Sequence, residues 1–283
     1  NSSDHNTSEK YYFKSNENLP KPKIVRKREK GIIYSVSSWD GYFYIHTNKG
    51  AEDFKIERST DIEASKWEVF IPAKNETMIG GLTFLKNWII RSELNNALDK
   101  IFVRDINSNK EEELIFTDEE VYDGSISHTQ KDRNTDLIYI SYSTPKTQAR
   151  TYLYNLKTKE KKLVKDQVIP TGHDPKNYIV QRIECNSDDG RKVPLTITRH
   201  KDTPLDGSAN LLLYGYGSYG ASMSPSFSST RLSLINRNII WVTAHIRGGM
   251  ERGMKWWKEG KLLNKKNTFN AVSYTHLRAH ETN

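Results

Sequence analysis

Along residues 1–167, apolar positions alternate with polar ones in short runs that polar turns interrupt, the pattern of half-buried strands. Residues 32–36 predict a strand, Trp39-Asp40-Gly41 a turn, and residues 42–46 the returning strand. The pattern recurs at 82–85 and 88–90 across Lys86-Asn87, and again at 137–142 after the polar stretch 130–136. Two further hairpins follow: 102–106 turns at 107–110 into 113–116, and 152–156 turns at 157–160 into 162–164. Asp105 and Asn155 hold equivalent places in them, about 50 residues apart, the period of four-stranded propeller blades. A β-sandwich is the alternative, but repeated double hairpins favour a propeller. At about 45 residues per blade, residues 1–167 would hold roughly three and a half blades, with the rest expected before Asn1.

The pattern changes near residue 168. Residues 168–175 are rich in turn formers and predict a linker. Residues 179–184 and 193–198 flank Asp188-Asp189-Gly190 as a hairpin. Residues 211–214 and 239–244 are continuous apolar runs, as buried parallel strands require, and 231–236 between them predicts a helix. An α/β domain begins here.

Composition narrows the classes. Hydrophobic residues make up 35% of the 283, so the 11% that are aromatic must supply much of the core. The net charge of +8 comes from lysines interspersed with acids, without a basic helix, so no nucleic-acid partner is expected. Cys185 is the single cysteine, which suits a reducing, cytoplasmic location and an inert thiol. No apolar run approaches a membrane span, and no membrane partner is expected.

Residues 215–220 (Gly-Tyr-Gly-Ser-Tyr-Gly) follow a predicted strand and match the dinucleotide pattern GxGxxG. The match fails in context: 221–229 is serine-rich with Pro225, a poor helix, and no acid follows at ribose distance. The same residues nearly form a nucleophile elbow, but Tyr216 stands where that strained turn needs glycine. Ser218 is therefore expected in a turn role. His245, ending an apolar run, reads as structural, and Arg247 and Glu251 as an ion pair tying the following turn. His276 and His280 stand four apart without the glutamate of a zinc hydrolase motif. No cofactor and no metal are expected.

Residues 211–220, then His245-Ile246-Arg247-Gly248-Gly249 with Glu251, Gly253, Trp256 and Gly260-Lys261, and then 265–270 (Lys-Lys-Asn-Thr-Phe-Asn), resemble successive signatures of the prolyl oligopeptidase family. Residues 227–234 and 265–270 resemble its oligopeptidase B branch. The resemblance implies the last blades of a seven-bladed β-propeller over 1–167 and the N-terminal part of an α/β-hydrolase domain over 168–270. It also implies a serine peptidase that cleaves short peptides, after Arg or Lys in this branch, through a Ser–Asp–His triad. Tyr216 matches a tyrosine that helps bind the oxyanion. Tyr219 matches an aromatic near the first specificity pocket, with a packing role equally open. Ser224 and Ser226 stand where many members of the branch carry a D-x-D pair that holds a second basic residue. The triad follows the last matching segment in the family, so the chain as given is expected to be inactive. Residues 271–283 depart from the family and are expected to be a non-native tail. The alternatives are a proline-specific oligopeptidase and a non-catalytic propeller that binds a protein partner.

Overall fold

A computed structural model describes the chain except residues 1, 5, 15–17, 19–20, 129–132 and 272–283. The chain folds as two compact units, Asn1–Gly81 and Leu82–Asn283. In the first unit, β1 (Ser2–Ser3), β2 (Ser8–Tyr12) and β3 (Lys23–Arg26) form a three-stranded sheet. β4 (Tyr34–Trp39), β5 (Tyr42–Thr47), β6 (Lys55–Ser59) and β7 (Glu68–Ile71) form a four-stranded antiparallel meander. The expected turn between β4 and β5 is present. Trp39 pairs with Tyr42, leaving Asp40 and Gly41 as a two-residue loop with φ 48° and 74°, the twist that joins right-twisted strands. Buried Tyr34, Ile45 and Trp67 form the core on one face of this meander.

β8 (Thr77–Leu85) runs across the division between the units. It joins β9 (Trp88–Asn95), β10 (Leu98–Asp105) and β11 (Glu111–Glu113) in the order β11-β10-β9-β8. β12 (Asp123–His128), β13 (Leu137–Ser143), β14 (Arg150–Asn155) and β15 (Lys161–Asp166) form the next meander. Between the sheets lies a core that includes Leu85, Ile101, Val103, Ile138, Ile140 and Leu156. The expected strand over 113–116 is a miss, because pairing ends at Glu113. Leu114 and Phe116 turn inward instead and are buried in that core, with Phe116 edge-on to Tyr122 and Tyr142. Leu114 N–H still donates to Ile101 O at 2.7 Å, and beyond it the chain leaves the sheet edge as Phe116 packs into the core.

The equivalence of Asp105 and Asn155 holds at the atomic level. Asp105 Oδ1 accepts from the N–H groups of Asn107 and Ser108 at 2.8 and 3.3 Å. Asn155 Oδ1 accepts from those of Lys157 and Thr158 at 2.9 and 3.1 Å. Each turn closes on the N–H of its Asp or Asn, from Asp105 to Lys110 O and from Asn155 to Glu160 O. Asn109 and Lys159 occupy the same left-handed position, at φ 57° and 64°.

After the linker, β16 (Tyr178–Asn186) and β17 (Lys192–His200) form a hairpin. β18 (Leu211–Tyr214) and β19 (Ile240–Ala244) complete a sheet in the order β16-β17-β19-β18. β18 and β19 are parallel, as their continuous apolar runs predict, and β17 meets β19 antiparallel. Helix α1 (Ser229–Ile235) makes the crossover, capped by Ser228 Oγ and burying Leu232 and Ile235 against Tyr178. Helix α2 (Gly253–Lys258) follows β19, and residues 266–271 are helical. Cys185, Val193, Leu195, Val242, Trp256 and Ala271 are buried together in the core of this sheet.

Candidate functional site

The loop leaving the C-terminal end of β18 carries Tyr216, Tyr219, Ser224 and Ser226 before α1 begins. In an open α/β sheet, loops at that end of parallel strands form the sites. Tyr216 is 45% exposed and Tyr219 is 89% exposed, so neither is a core packing residue of this chain. Between and beside them the backbone turns sharply, with Gly217, Tyr219 and Gly220 at φ 58°, 56° and 71°. A non-glycine residue such as Tyr219 adopts that region at a cost of about 1–2 kcal/mol, so the surroundings must impose it.

Those surroundings come from further along the chain. A Cβ on Gly217 would lie 2.5 Å from Thr268 Cγ2 and 2.6 Å from Arg247 O. A Cβ on Gly248, at φ 104°, would lie 2.0 Å from Gly217 O. The two backbones therefore touch where any side chain would hold them apart. Gly220 N–H donates to Gly248 O at 2.8 Å. Thr268 Oγ1 is 2.8 Å from Arg247 O and 3.1 Å from Gly260 O, within reach of its single proton. Lys265 Nζ donates to Gly217 O and, at 2.7 Å, to Ser218 Oγ. Ser218 thus sits in a turn, as its sequence context predicts.

The expected Arg247–Glu251 ion pair is not made. Arg247 is buried against Trp256, and its guanidinium pairs with Asp189 of the β16–β17 turn. Asp189 is stripped of some water, but hydrogen bonds from Arg247, Ser187 and the Arg191 N–H hold its carboxyl down at about 2. Glu251, 1% exposed, accepts from Met223 N–H at 2.9 Å through Oε1, while Oε2 has no hydrogen-bond partner. Desolvation raises its pKa to about 7 against the pull of Arg182 and that N–H. Its backbone O accepts from Ala97 N–H, in the β9–β10 turn, at 2.9 Å.

Arg182 of β16 reaches the same turn. Its guanidinium donates to Asn96 O and to Thr196 Oγ1, and lies 3.3 Å from His245 Nε2. His245 is fully buried and kept neutral, its pKa pushed down to about 3 by desolvation and by Arg182. It is structural, as the sequence predicts.

Met223 N–H on Glu251 and Phe227 N–H on Ser143 Oγ, at 3.2 Å, pin the loop on either side of Ser224 and Ser226. Ser224 Oγ is buried without a partner. Sequence reasoning missed Lys265, Arg182 and the anchoring role of Glu251. The only local signal is the Asn95-Asn96 pair between two predicted strands, a turn former. Among the described residues, no group of three or more His, Cys, Asp or Glu side chains gathers as a metal site would. No helix among them is long and apolar enough to cross a membrane. His276 and His280, and with them residues 272–283 of the expected tail, lie outside the described residues.

Comparison with known proteins accounts for both parts of the chain. Residues 1–167 match the family model "Prolyl oligopeptidase, N-terminal beta-propeller domain", and residues 225–274 match "Prolyl oligopeptidase family". Dipeptidyl aminopeptidase BI of Pseudoxanthomonas mexicana is 36% identical over 87% of the chain and 34% of its own length. Protease 2 of Moraxella lacunata is 32% identical over 95% of the chain and 38% of its own length. Among solved structures, oligopeptidase B from Trypanosoma brucei, closed and with covalently bound antipain, superposes with a TM-score of 0.88 at 28% identity. That match covers 97% of this chain and 41% of the other. Oligopeptidase B from Leishmania major gives 0.87 at 26% identity, over 98% and 40%. The chain thus spans between a third and about two fifths of the length of these relatives.

Proposed function

The chain belongs to the prolyl oligopeptidase family, and from that membership we propose that the protein carrying it is a serine-type oligopeptidase hydrolysing short peptides after Arg or Lys. The chemistry is acyl transfer through a Ser–Asp–His triad. Neither Ser218, tied to Lys265, nor His245, buried and bonded to Thr196, serves in that triad. This chain contributes the substrate-facing loop after β18. A β-propeller beside the site would admit short peptides and exclude folded proteins. The single cysteine supports a reducing, cytoplasmic location.

The observation that carries the reading is Tyr216, half-exposed at the end of β18 on a turn that Gly248, Thr268 and Lys265 hold in place. A preorganised phenol donates best to charge that develops only in the transition state. The test is Tyr216→Phe in the full-length protein, assayed with Arg-ended and Pro-ended fluorogenic peptides. Loss of one oxyanion donor is expected to lower kcat roughly 10²–10³-fold with KM nearly unchanged. A change confined to KM would reject the donor role. Preference for the Pro-ended peptide would reject the basic specificity, and no cleavage at all would favour a non-catalytic binding module. The identity with dipeptidyl aminopeptidase BI favours a second reading, removal of N-terminal dipeptides. Blocking the amino terminus of the substrate distinguishes it, because an endo-acting enzyme tolerates the block.

Ser224 and Ser226 refine the specificity. Serines offer a second basic residue only neutral hydrogen bonds, whereas carboxylates would offer charge-assisted ones. The expected preference for paired basic residues is therefore weak, and Ser224→Asp with Ser226→Asp should raise kcat/KM for dibasic peptides roughly tenfold. Equal rates before and after the double substitution would remove the role.

A further inference from the structure

The turn between Tyr216 and Tyr219 is fixed from two sides by different means. On its C-terminal side, Gly220 N–H reaches Gly248 O at 2.8 Å and Ala221 N–H reaches Ser218 O at 3.0 Å, so backbone hydrogen bonds suffice. On its N-terminal side, the peptide that follows Gly217 is gripped by one side chain. Lys265 Nζ donates to Gly217 O and to Ser218 Oγ and lies 5.8 Å from the centroid of the Phe269 ring. Lys265 is partly buried there, and desolvation lowers its pKa. It follows the 3-10 turn Leu262–Asn264 and precedes the helix at 266–271, which carries Thr268 against the same turn. The ammonium is therefore borne on a short element packed against Gly217.

We propose that Lys265 is a positioning residue for the proposed reaction: its ammonium fixes the Gly217–Ser218 peptide and thereby aims the Tyr216 hydroxyl. The inference rests on the reading of Tyr216 as oxyanion donor. Gly217 has no side chain to hold its own conformation, so a freed carbonyl would let its φ and ψ drift and displace the Tyr216–Gly217 peptide, and a small backbone shift there becomes a larger one at the phenolic oxygen. A charge-assisted bond to the carbonyl is about twice as strong as a neutral one, which suits a turn with three left-handed residues. Lys265 touches neither substrate nor reacting atoms on this account and acts through Tyr216.

The test is made in the full-length protein with Lys265→Met, Lys265→Arg, Tyr216→Phe and the Tyr216→Phe/Lys265→Met double variant. Lys265→Met is expected to lower kcat about 10–100-fold with KM moving less than about threefold, the scale set by misplacing a catalytic group by about 1 Å. Lys265→Arg should restore most of that loss, because it keeps a charged donor. In the Tyr216→Phe background, Lys265→Met should cost less than about threefold more, since the group it aims is gone. An equal loss in both backgrounds, or a change in KM alone, overturns the proposal while leaving Tyr216 in place. A crystal structure of the Lys265→Met variant gives an independent readout. A displaced 217–218 peptide is expected, and an unmoved one overturns the proposal. If Tyr216→Phe is silent while the peptide still shifts, Lys265 positions the turn and it is the donor role of Tyr216 that falls.

Discussion

The turn that closes β10 onto β11 and the turn that leaves β18 differ in where their partners come from. Asp105 and Asn155 each organise a blade turn from within, accepting N–H groups two and three residues ahead. The turn at 217–220 is organised from without: its contacts are Gly248, Thr268 and Lys265, and the carbonyl that Lys265 grips is 48 residues away in sequence. A blade turn can be built, repeated and moved as a local unit. The turn after β18 depends on two later segments, around Gly248 and at 265–268, which suits a site assembled by the whole domain rather than by one hairpin.

The sharpest way to break this contrast is Gly248→Ala. The new methyl would lie 2.0 Å from Gly217 O at a backbone φ of 104°, so one of the two backbones must move. We expect a loss of at least about 4 kcal/mol in stability, or a folded protein whose 216–220 turn is displaced and whose kcat has collapsed. Gly190→Ala is the control. It shares a positive φ of 76° but has nothing within 4 Å of the added methyl, so it should cost only about 1–2 kcal/mol. Urea denaturation and peptide turnover of the two full-length variants measure the difference. Comparable losses would mean that backbone strain, not contact between the two segments, sets the requirement for glycine.

Glu251 joins the two regions, since its backbone O holds the β9–β10 turn and its side chain holds Met223. Its pKa is raised from 4.5 unfolded to about 7 folded. The folded protein therefore binds this proton more tightly, and the stabilisation is fully present below about 4.5 and lost as pH rises through about 7. His245 runs the other way. Held neutral down to about 3, it favours the folded state increasingly as pH rises towards 6.5. Only a difference between variants isolates either group. Glu251→Gln keeps an oxygen for Met223 N–H and cannot ionise. Relative to wild type it should gain stability between pH 5 and 8, by up to about 3 kcal/mol at the upper end. Thermal melting across that range is the measurement, and parallel curves for the two proteins would show that Glu251 is not the group responsible.

Legibility in the sequence follows the same division. The blade hairpins, the spacing of Asp105 and Asn155, the parallel pair β18 and β19 and the helix between them are all written locally, as alternation, turn formers and apolar runs. The strand expected at 113–116 stops early: Leu114 still bonds to Ile101 O, but Phe116 leaves the ladder for the core between two sheets. Tyr216, Tyr219, Ser224 and Ser226 were picked out by resemblance, and the structure places all four on one loop. What holds that loop was not legible. Arg247 pairs with Asp189, 58 residues away, rather than with nearby Glu251, and Arg182 reaches Asn96 across 86 residues. Charge and proximity in sequence suggest an ion pair, but burial of the arginine beside Trp256 selects the partner.

The smallest expected effect tests the local half of the contrast. Asp105→Ala and Asn155→Ala each remove one acceptor shared by two backbone N–H groups in a solvent-facing turn, where water can replace it. Each should cost about 1 kcal/mol, and the two should add within about 0.5 kcal/mol, because each side chain bonds to N–H groups of its own turn. Exchanging the residues, Asp105→Asn with Asn155→Asp, should be nearly neutral, since both side chains offer the same oxygen to the same pair of donors. Peptide turnover should not change in any of these variants. A loss of activity from either alanine, without a matching loss of stability, would show that the blade turns are coupled to the loop after β18. The division between locally and globally built turns would then fail.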